Sequence, residues 1–397
     1  MSKLLISSAL AAAIVVPSLA QTPQQVQTPP ATPPAQGQGQ GQGGGRGFAQ
    51  TPEQIKAARE REVEGQKQTD AAWRKASEGV MKMEKITYKS TAKDGMTIPA
   101  FVFSPLTPRG PKGHPALVWV HPDIRGHVYE YYIPYVQEAV KRGYVVIAPE
   151  YRGSYGYGAE HYDAIDYGGE EVTDVIASVE YLKTMPIVDI ERVGIIGWSH
   201  GGMITLLSIE RATKTFKAAA ALVPVTNLFQ RLAWNGVEQR KAQIDPANRY
   251  GGLPHQNRDE YKRRSPIYQI DNVEIPLLVH ITRNDADVVF EEAAQLVDAL
   301  RARKPFLAET KIYENPLGGH LFDRMCPATL PNQGGRRGGG AGAAGAAGAP
   351  ATPPAQPDPT DLSRYVPTNT PEQRDSWNRV WTFLDWNLRP YQGAPSK

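Results

Sequence analysis

Of the 397 residues, one is cysteine, Cys326, so no intrachain disulfide can form and an ordinary hydrophobic core must hold the fold. Cys326 lies beside a low-complexity tract, which favours a structural or incidental thiol over a nucleophile. No apolar run is long enough for a mature membrane span; the longest, Leu4 to Val16, is too short. No block of one charge sign stands out either. The 44 Lys and Arg are interspersed with 41 Asp and Glu, net +3, which excludes the charge footprint of a nucleic-acid or membrane-surface binder.

What is present begins with a leader. Lys3, the apolar run to Val16 and the small-residue pattern Ser18-Leu19-Ala20 read as a signal peptide cut after Ala20, and the expected location is periplasmic or secreted. No cysteine follows to carry a lipid anchor. Residues 21–50 are rich in Gln, Pro and Gly, with too little apolar surface to offset the entropy of ordering. A second such tract is expected over 327–371, looping out of the folded domain. The heptapeptide Pro-Ala-Thr-Pro-Pro-Ala-Gln occurs in both, at 30–36 and 350–356, a repeat of composition rather than of fold.

Between the tracts, strand and helix patterns alternate over one domain, 51–397. Thr51-Pro52-Glu53-Gln54 opens a helix expected to run to 81. Strands are expected at 84–90, 97–104, 116–121, 144–148, 193–197, 218–223, 276–281 and 309–313, and helices at 130–142, 168–184, 201–212, 290–303 and 374–387. The inner strands are unbroken apolar runs, as strands covered by helices on both faces are. The fold class is therefore α/β, a mainly parallel sheet with helices on both faces. Residues 225–264 are polar, fit no strand, and are expected to form a small cap.

The segment Val193-Gly194-Ile195-Ile196-Gly197-Trp198-Ser199-His200-Gly201-Gly202 sets Ser199 on a turn between an apolar strand and a helix, flanked by glycines that let the two cross closely. The alternative is an ordinary strand–helix turn. A serine hydroxyl needs a base to become a nucleophile. Of the eight histidines, His320 alone follows the last expected strand. An acid is expected just past the strand 276–281, where Asp285 and Asp287 both qualify; either also suits the cap of the next helix. Oxyanion donors are expected from the amide of His200 and from the loop His121-Pro122-Asp123-Ile124-Arg125-Gly126-His127. Pro122 has no N–H, which leaves Asp123. The spacing of His121, Asp123 and His127 also allows a metal site, but the chemistry needs none.

Together these residues resemble the catalytic domain of the prolyl oligopeptidase family, especially its acylaminoacyl-peptidase-like members. The likeness covers about 84–325 and resumes at the last helix. It is carried by Glu150-Tyr151-Arg152-Gly153-Ser154-Tyr155-Gly156-Tyr157-Gly158, by Tyr167-Gly168-Gly169-Glu170-Glu171-Val172-Thr173-Asp174-Val175, and by Ser265-Pro266-Ile267 followed by Ile275-Pro276-Leu277-Leu278-Val279-His280. The resemblance implies an α/β-hydrolase fold and a triad of Ser199, Asp285 and His320; Asp285 is the acid because it stands three before Val288. Two departures concern the site. His121-Pro122-Asp123-Ile124 stands where the family usually has His-Gly-Gly-Pro, and the acid loop is one residue longer. About sixty residues separate Ala20 from the first strand, too few for the family's β-propeller of several four-stranded blades.

The function expected is a serine-type peptidase working through an acyl-enzyme on Ser199. A carboxylesterase with the same triad is the alternative, and a catalytically inactive binding module a third reading. The partner expected is a peptide or ester substrate. No cofactor is implied, and the oligomeric state is not legible.

Overall fold

The computed structural model describes residues 52–234, 236–330, 358 and 360–391; the expected signal peptide and first linker lie outside the described residues. Eight strands form one sheet: β1 (Lys82–Lys89), β2 (Thr97–Ser104), β3 (His114–Val120), β4 (Val145–Pro149), β5 (Val188–Trp198), β6 (Ala218–Leu222), β7 (Leu277–Thr282) and β8 (Ala308–Tyr313). Their order is β1-β2-β4-β3-β5-β6-β7-β8. The two pairings at the β1 edge are antiparallel and every other is parallel.

Ten α-helices are described: α1 (Pro52–Ser77), α2 (Ile133–Arg142), α3 (Ala159–Asp163), α4 (Glu170–Lys183), α5 (His200–Arg211), α6 (Leu228–Trp234), α7 (Val237–Ile244), α8 (Arg258–Arg263), α9 (Phe290–Arg303) and α10 (Pro371–Leu388). Strand side chains alternate between faces, and the core divides accordingly. Val118, Ile147, Ile195 and Ala219 pack with α4, α5 and α9. Leu117, Trp119, Val146 and Ile196 pack with α1, α2 and α10. Both faces are thus covered, and β3 and β4 are buried along their whole length. Gly194 admits the last helix, since a Cβ there would lie 2.6 Å from the Leu388 Cδ1.

The expected boundaries shift for local reasons. The first helix stops at Ser77 rather than 81, because Gly79 turns with φ 68° and Met81 is buried leading into β1. The helix expected from 130 opens with a 3₁₀ turn, Glu130–Tyr132, and becomes α-helical at Ile133; Pro134 lacks the N–H that would bond residue 130. Residues 225–264 form α6, α7 and α8, but not a cap with its own core. Leu228, Leu232, Ile244 and Tyr261 join the main core instead.

Most of the tract expected over 327–371 lies outside the described residues. Its C-terminal part is ordered: Leu362–Tyr365 is a 3₁₀ turn, Ala328 N–H donates to the Arg364 carbonyl at 2.9 Å, and Thr368 N–H donates to the Met325 carbonyl at 3.0 Å. The final helix begins at Pro371, three residues before the expected start. The Thr370 hydroxyl caps it by accepting from Gln373 N–H, with proline in the first turn.

Among the described residues no helix is long and apolar enough to cross a membrane. Because β3 to β8 run parallel, their carboxyl ends share one rim, and the loops that leave that rim carry Asp123, Ser199, Asp285 and His320.

Candidate active site

Ser199 adopts φ 55° and ψ −118° between β5 and α5. A side chain at positive φ is strained, and three backbone bonds hold it there. Ser199 N–H donates to the Leu222 carbonyl at 3.0 Å, and the Ser199 carbonyl accepts from Met203 N–H at 3.0 Å and Val225 N–H at 3.2 Å. The flanking glycines are required by close approach. A Cβ on Gly197 would lie 2.3 Å from the Gly201 carbonyl oxygen, and one on Gly201 would lie 2.4 Å from the carbonyl oxygens of Val120 and His121. The start of α5 is therefore pressed against the end of β3.

His320 follows β8 on a 3₁₀ turn, Gly319–Arg324, reached through Gly318 and Gly319, both at positive φ. Its Nδ1 lies 2.7 Å from Asp285 Oδ2. The other carboxylate oxygen of Asp285 accepts from the N–H groups of Asp287 and Val288, each at 2.8 Å. Asp285 is thus fixed on both oxygens and aimed at the ring. Its neighbour Asp287 does not cap the next helix: α9 has Val289 at its N-cap with no side-chain bond. The Asp287 carboxylate instead lies 3.4 Å from the guanidinium of Arg231 and 3.5 Å from His320 Nε2. Burial disfavours the charged form of His320, but Asp285 and then Asp287 outweigh it, so its pKa stands above the ordinary histidine value. Burial also works against the Asp287 charge. Arg231, with smaller help from His320 and Arg240, reverses that and lowers its pKa to about 2.

The structure joins Asp285 to His320 and sets Ser199 on the same rim. The Ser199 hydroxyl makes no hydrogen bond to the ring, or to any other group, among the described residues. The rim is braced nearby: Trp198 Nε1 donates to Asp323 Oδ2 at 2.8 Å, and Arg324 donates to the His320 carbonyl at 2.7 Å.

The two residues expected to supply the oxyanion donors, His200 and Asp123, are in contact. The His200 amide opens α5 and has no acceptor within the helix. Asp123 sits at φ 72° in the loop after β3. Its carbonyl accepts from Tyr151 Oη at 3.3 Å and faces His200 Nδ1 at 3.1 Å, and its carboxylate accepts from Tyr129 Oη at 2.8 Å. His121, one of the two histidines of the metal alternative, has both ring nitrogens engaged, by the Pro122 carbonyl at 2.8 Å and Ser154 Oγ at 2.9 Å.

Three contributors to the rim gave no readable signal in the chain. Arg231 lies in a polar stretch, Asp323 in an unremarked turn, and the interior role of Glu150 is hidden in a glycine-tyrosine motif. Glu150 is wholly buried, bonds Val128 N–H at 3.1 Å, and is pushed up to about 8 by removal from water.

Comparison with known proteins places a family and a fold beside this description. Residues 131–323 match the prolyl oligopeptidase family. The chain is 30% identical over 250 residues to the uncharacterized peptidase YuxL of Bacillus subtilis, covering 61% of this chain and 36% of that protein. It is also 30% identical over 190 residues to acylamino-acid-releasing enzyme 1 of Oryza sativa subsp. japonica, covering 46% and 24%. The chain thus spans about a third or less of the length of these relatives. Among solved structures, a puromycin-hydrolyzing peptidase of Mycobacterium tuberculosis matches with TM-score 0.51 at 26% identity over 60% of this chain and 36% of that one. The acylaminoacyl peptidase of Pyrococcus horikoshii matches with TM-score 0.51 at 22% identity, over 61% and 38%. This second likeness is one of fold, the α/β-hydrolase sheet.

Proposed function

We propose, for a chain whose residues 131–323 form a domain of the prolyl oligopeptidase family, that it is a serine-type peptidase with Ser199 as nucleophile, His320 as base and Asp285 as the acid that orients it. The observation that carries the reading is the 2.7 Å bond between His320 Nδ1 and Asp285 Oδ2, on the same rim as a serine held at φ 55°. That bond fixes the ring with its proton on Nδ1 and leaves Nε2 to take the serine proton. Ser199 attacks the acyl carbonyl, and the amides of His200 and Asp123 receive the oxyanion. The protonated imidazole gives its proton to the leaving amine, and water then releases the acyl group from Ser199.

A peptide substrate is favoured over an ester because the relatives named above are peptidases and acylamino-acid-releasing enzymes. The test is a fluorophosphonate probe on the full chain, followed by turnover of a peptide amide and of a short aryl ester. Labelling at Ser199 that is lost in Ser199→Ala is expected, with cleavage of both substrates. Ester cleavage alone would make the protein a carboxylesterase, and no labelling of folded protein would make it a binding module.

Export is part of the same proposal. It is supported by the Lys3 to Ala20 pattern, and a mature N-terminus beginning at Gln21 in an extracytoplasmic fraction is the expected result.

A further inference from the structure

The His320 ring stands between two carboxylates of different character. On Nδ1 is Asp285, its side chain 2% exposed, at 2.7 Å; on Nε2 is Asp287, 45% exposed, at 3.5 Å. Arg231 of α6, itself 6% exposed, donates to the Asp287 backbone carbonyl and flanks both carboxylate oxygens at 3.4 Å. Asp287 is thereby held at the ring from behind. We propose that Asp287 is a positioning residue, a second counter-ion that favours the doubly protonated ring of His320 over the neutral one. The proposal rests on the reading of Ser199 as nucleophile and His320 as base.

The charge argument is local. A neutral ring with its proton on Nδ1 presents a lone pair at Nε2, which a carboxylate repels. The imidazolium presents N–H on both sides, which both carboxylates attract. Asp287 therefore acts at the moment the ring takes the serine proton. It also acts on the free enzyme, where it keeps the base protonated to higher pH. The other charged and titratable groups facing this place are Arg240 of α7, Glu292 of α9, Tyr167, and Asp323 and Arg324 of the turn that carries His320. Arg324 opposes the effect at the ring, and Arg231 and Arg240 hold the Asp287 carboxylate in its charged form, so that it still raises the His320 pKa from 3.5 Å.

The test is the pH dependence of fluorophosphonate labelling of Ser199 in the full chain, a reaction whose probe does not titrate. In Asp287→Asn the acid limb is expected to move down by about one pH unit. Asp287→Glu should keep the wild-type limb. Because Asp287 is half exposed, about 1 M salt should move the wild-type limb toward that of Asp287→Asn. A purely structural role would lower melting temperature and leave the limb in place. Coincident limbs in wild type and Asp287→Asn would overturn the proposal. Should Asp287→Asn not fold, a wild-type limb indifferent to salt would overturn it instead. Wild-type protein that never labels at Ser199 would fail differently, removing the hydrolase reading and this inference together.

Discussion

The indole N–H of Trp198 donates to the Asp323 carboxylate at 2.8 Å, tying the residue before Ser199 to the turn that carries His320. Both groups are fully buried, and Asp323 is further engaged by the adjacent Arg324 at 3.3 Å. The same turn is pinned to the last helix, since Trp377 Nε1 donates to the Asp323 carbonyl at 2.7 Å. Residues 198, 323 and 377 are distant in the chain, so this brace converts fold stability into spacing between serine and imidazole.

Trp198→Phe keeps an aromatic ring but deletes the donor and part of the buried indole, leaving the Asp323 carboxylate without its side-chain hydrogen bond. The loss expected is about 1–3 kcal/mol of unfolding free energy, read by urea denaturation. The kinetic signature expected is a fall in kcat larger than any rise in KM, because the brace sets the proton-transfer geometry rather than a substrate contact.

Gly201→Ala tests the elbow. Its Cβ would fall 2.4 Å from two backbone oxygens at the end of β3, atoms that cannot swing aside as a side-chain tip would. The start of α5 must move outward, taking the His200 amide and the Ser199 hydroxyl with it. Fluorophosphonate labelling should drop by at least about a hundredfold, the scale of losing one oxyanion donor, while the far-UV circular dichroism spectrum stays native-like. Labelling at the wild-type rate would show that the close approach is not needed.

Much of this was legible in the chain. β2 matched the expected range, and the unbroken apolar runs of β3, β4 and β6 announced strands covered on both faces. The places of Ser199 and His320 were legible, the first because a strand–turn–helix crossing needs glycine, the second because one histidine alone follows the last strand. In the chain Asp285 and Asp287 are rivals for one place, and nothing there showed that both carboxylates would face His320, with Arg231 of α6 brought over the second. Asp323 and Glu150 were equally silent: local pattern reports burial of apolar groups well, but says nothing of which polar group a fold will enclose. The helices of residues 225–264 were missed for a related reason. They are short, and their buried residues, such as Leu228 and Tyr261, are spaced too irregularly to show a periodic face.

Asp123 makes a prediction about backbone rather than side chain. Its φ of 72° suits glycine, so Asp123→Gly is expected to keep labelling of Ser199 within several-fold of wild type, at the cost of the Tyr129 hydrogen bond. Asp123→Pro removes the amide and demands φ near −65°, so it should lower labelling by at least about a hundredfold. A large loss in Asp123→Gly would move the role from the amide to the carboxylate.

Glu150 sets a pH dependence of stability whose sign can be worked out. Its carboxyl group is fully buried, with Oε1 accepting from Val128 N–H and Oε2 unpartnered, 3.6 Å from His121 Nε2. Removal from water raises its pKa from 4.5 to about 8. In the unfolded chain the group loses its proton near 4.5, so between that pH and about 8 the native state holds a proton that the unfolded state has released. Stability from this group is complete below the unfolded value and is lost as pH rises through the folded one, by up to about 1.4 kcal/mol per unit. Glu150→Gln cannot ionise, and its side-chain carbonyl can still accept from Val128. Whatever fixed cost the amide carries does not vary with pH. The free energy of unfolding of Glu150→Gln relative to wild type should therefore rise between pH 5 and 8, by on the order of 2–4 kcal/mol, when both are unfolded in urea across that range. His121 is common to both proteins, and burial holds its pKa well below the ordinary histidine value in the native state, so it does not blur the comparison. A difference between the two proteins that is flat with pH would mean that Glu150 is already ionised in the native state, with Oε2 sharing a proton with His121.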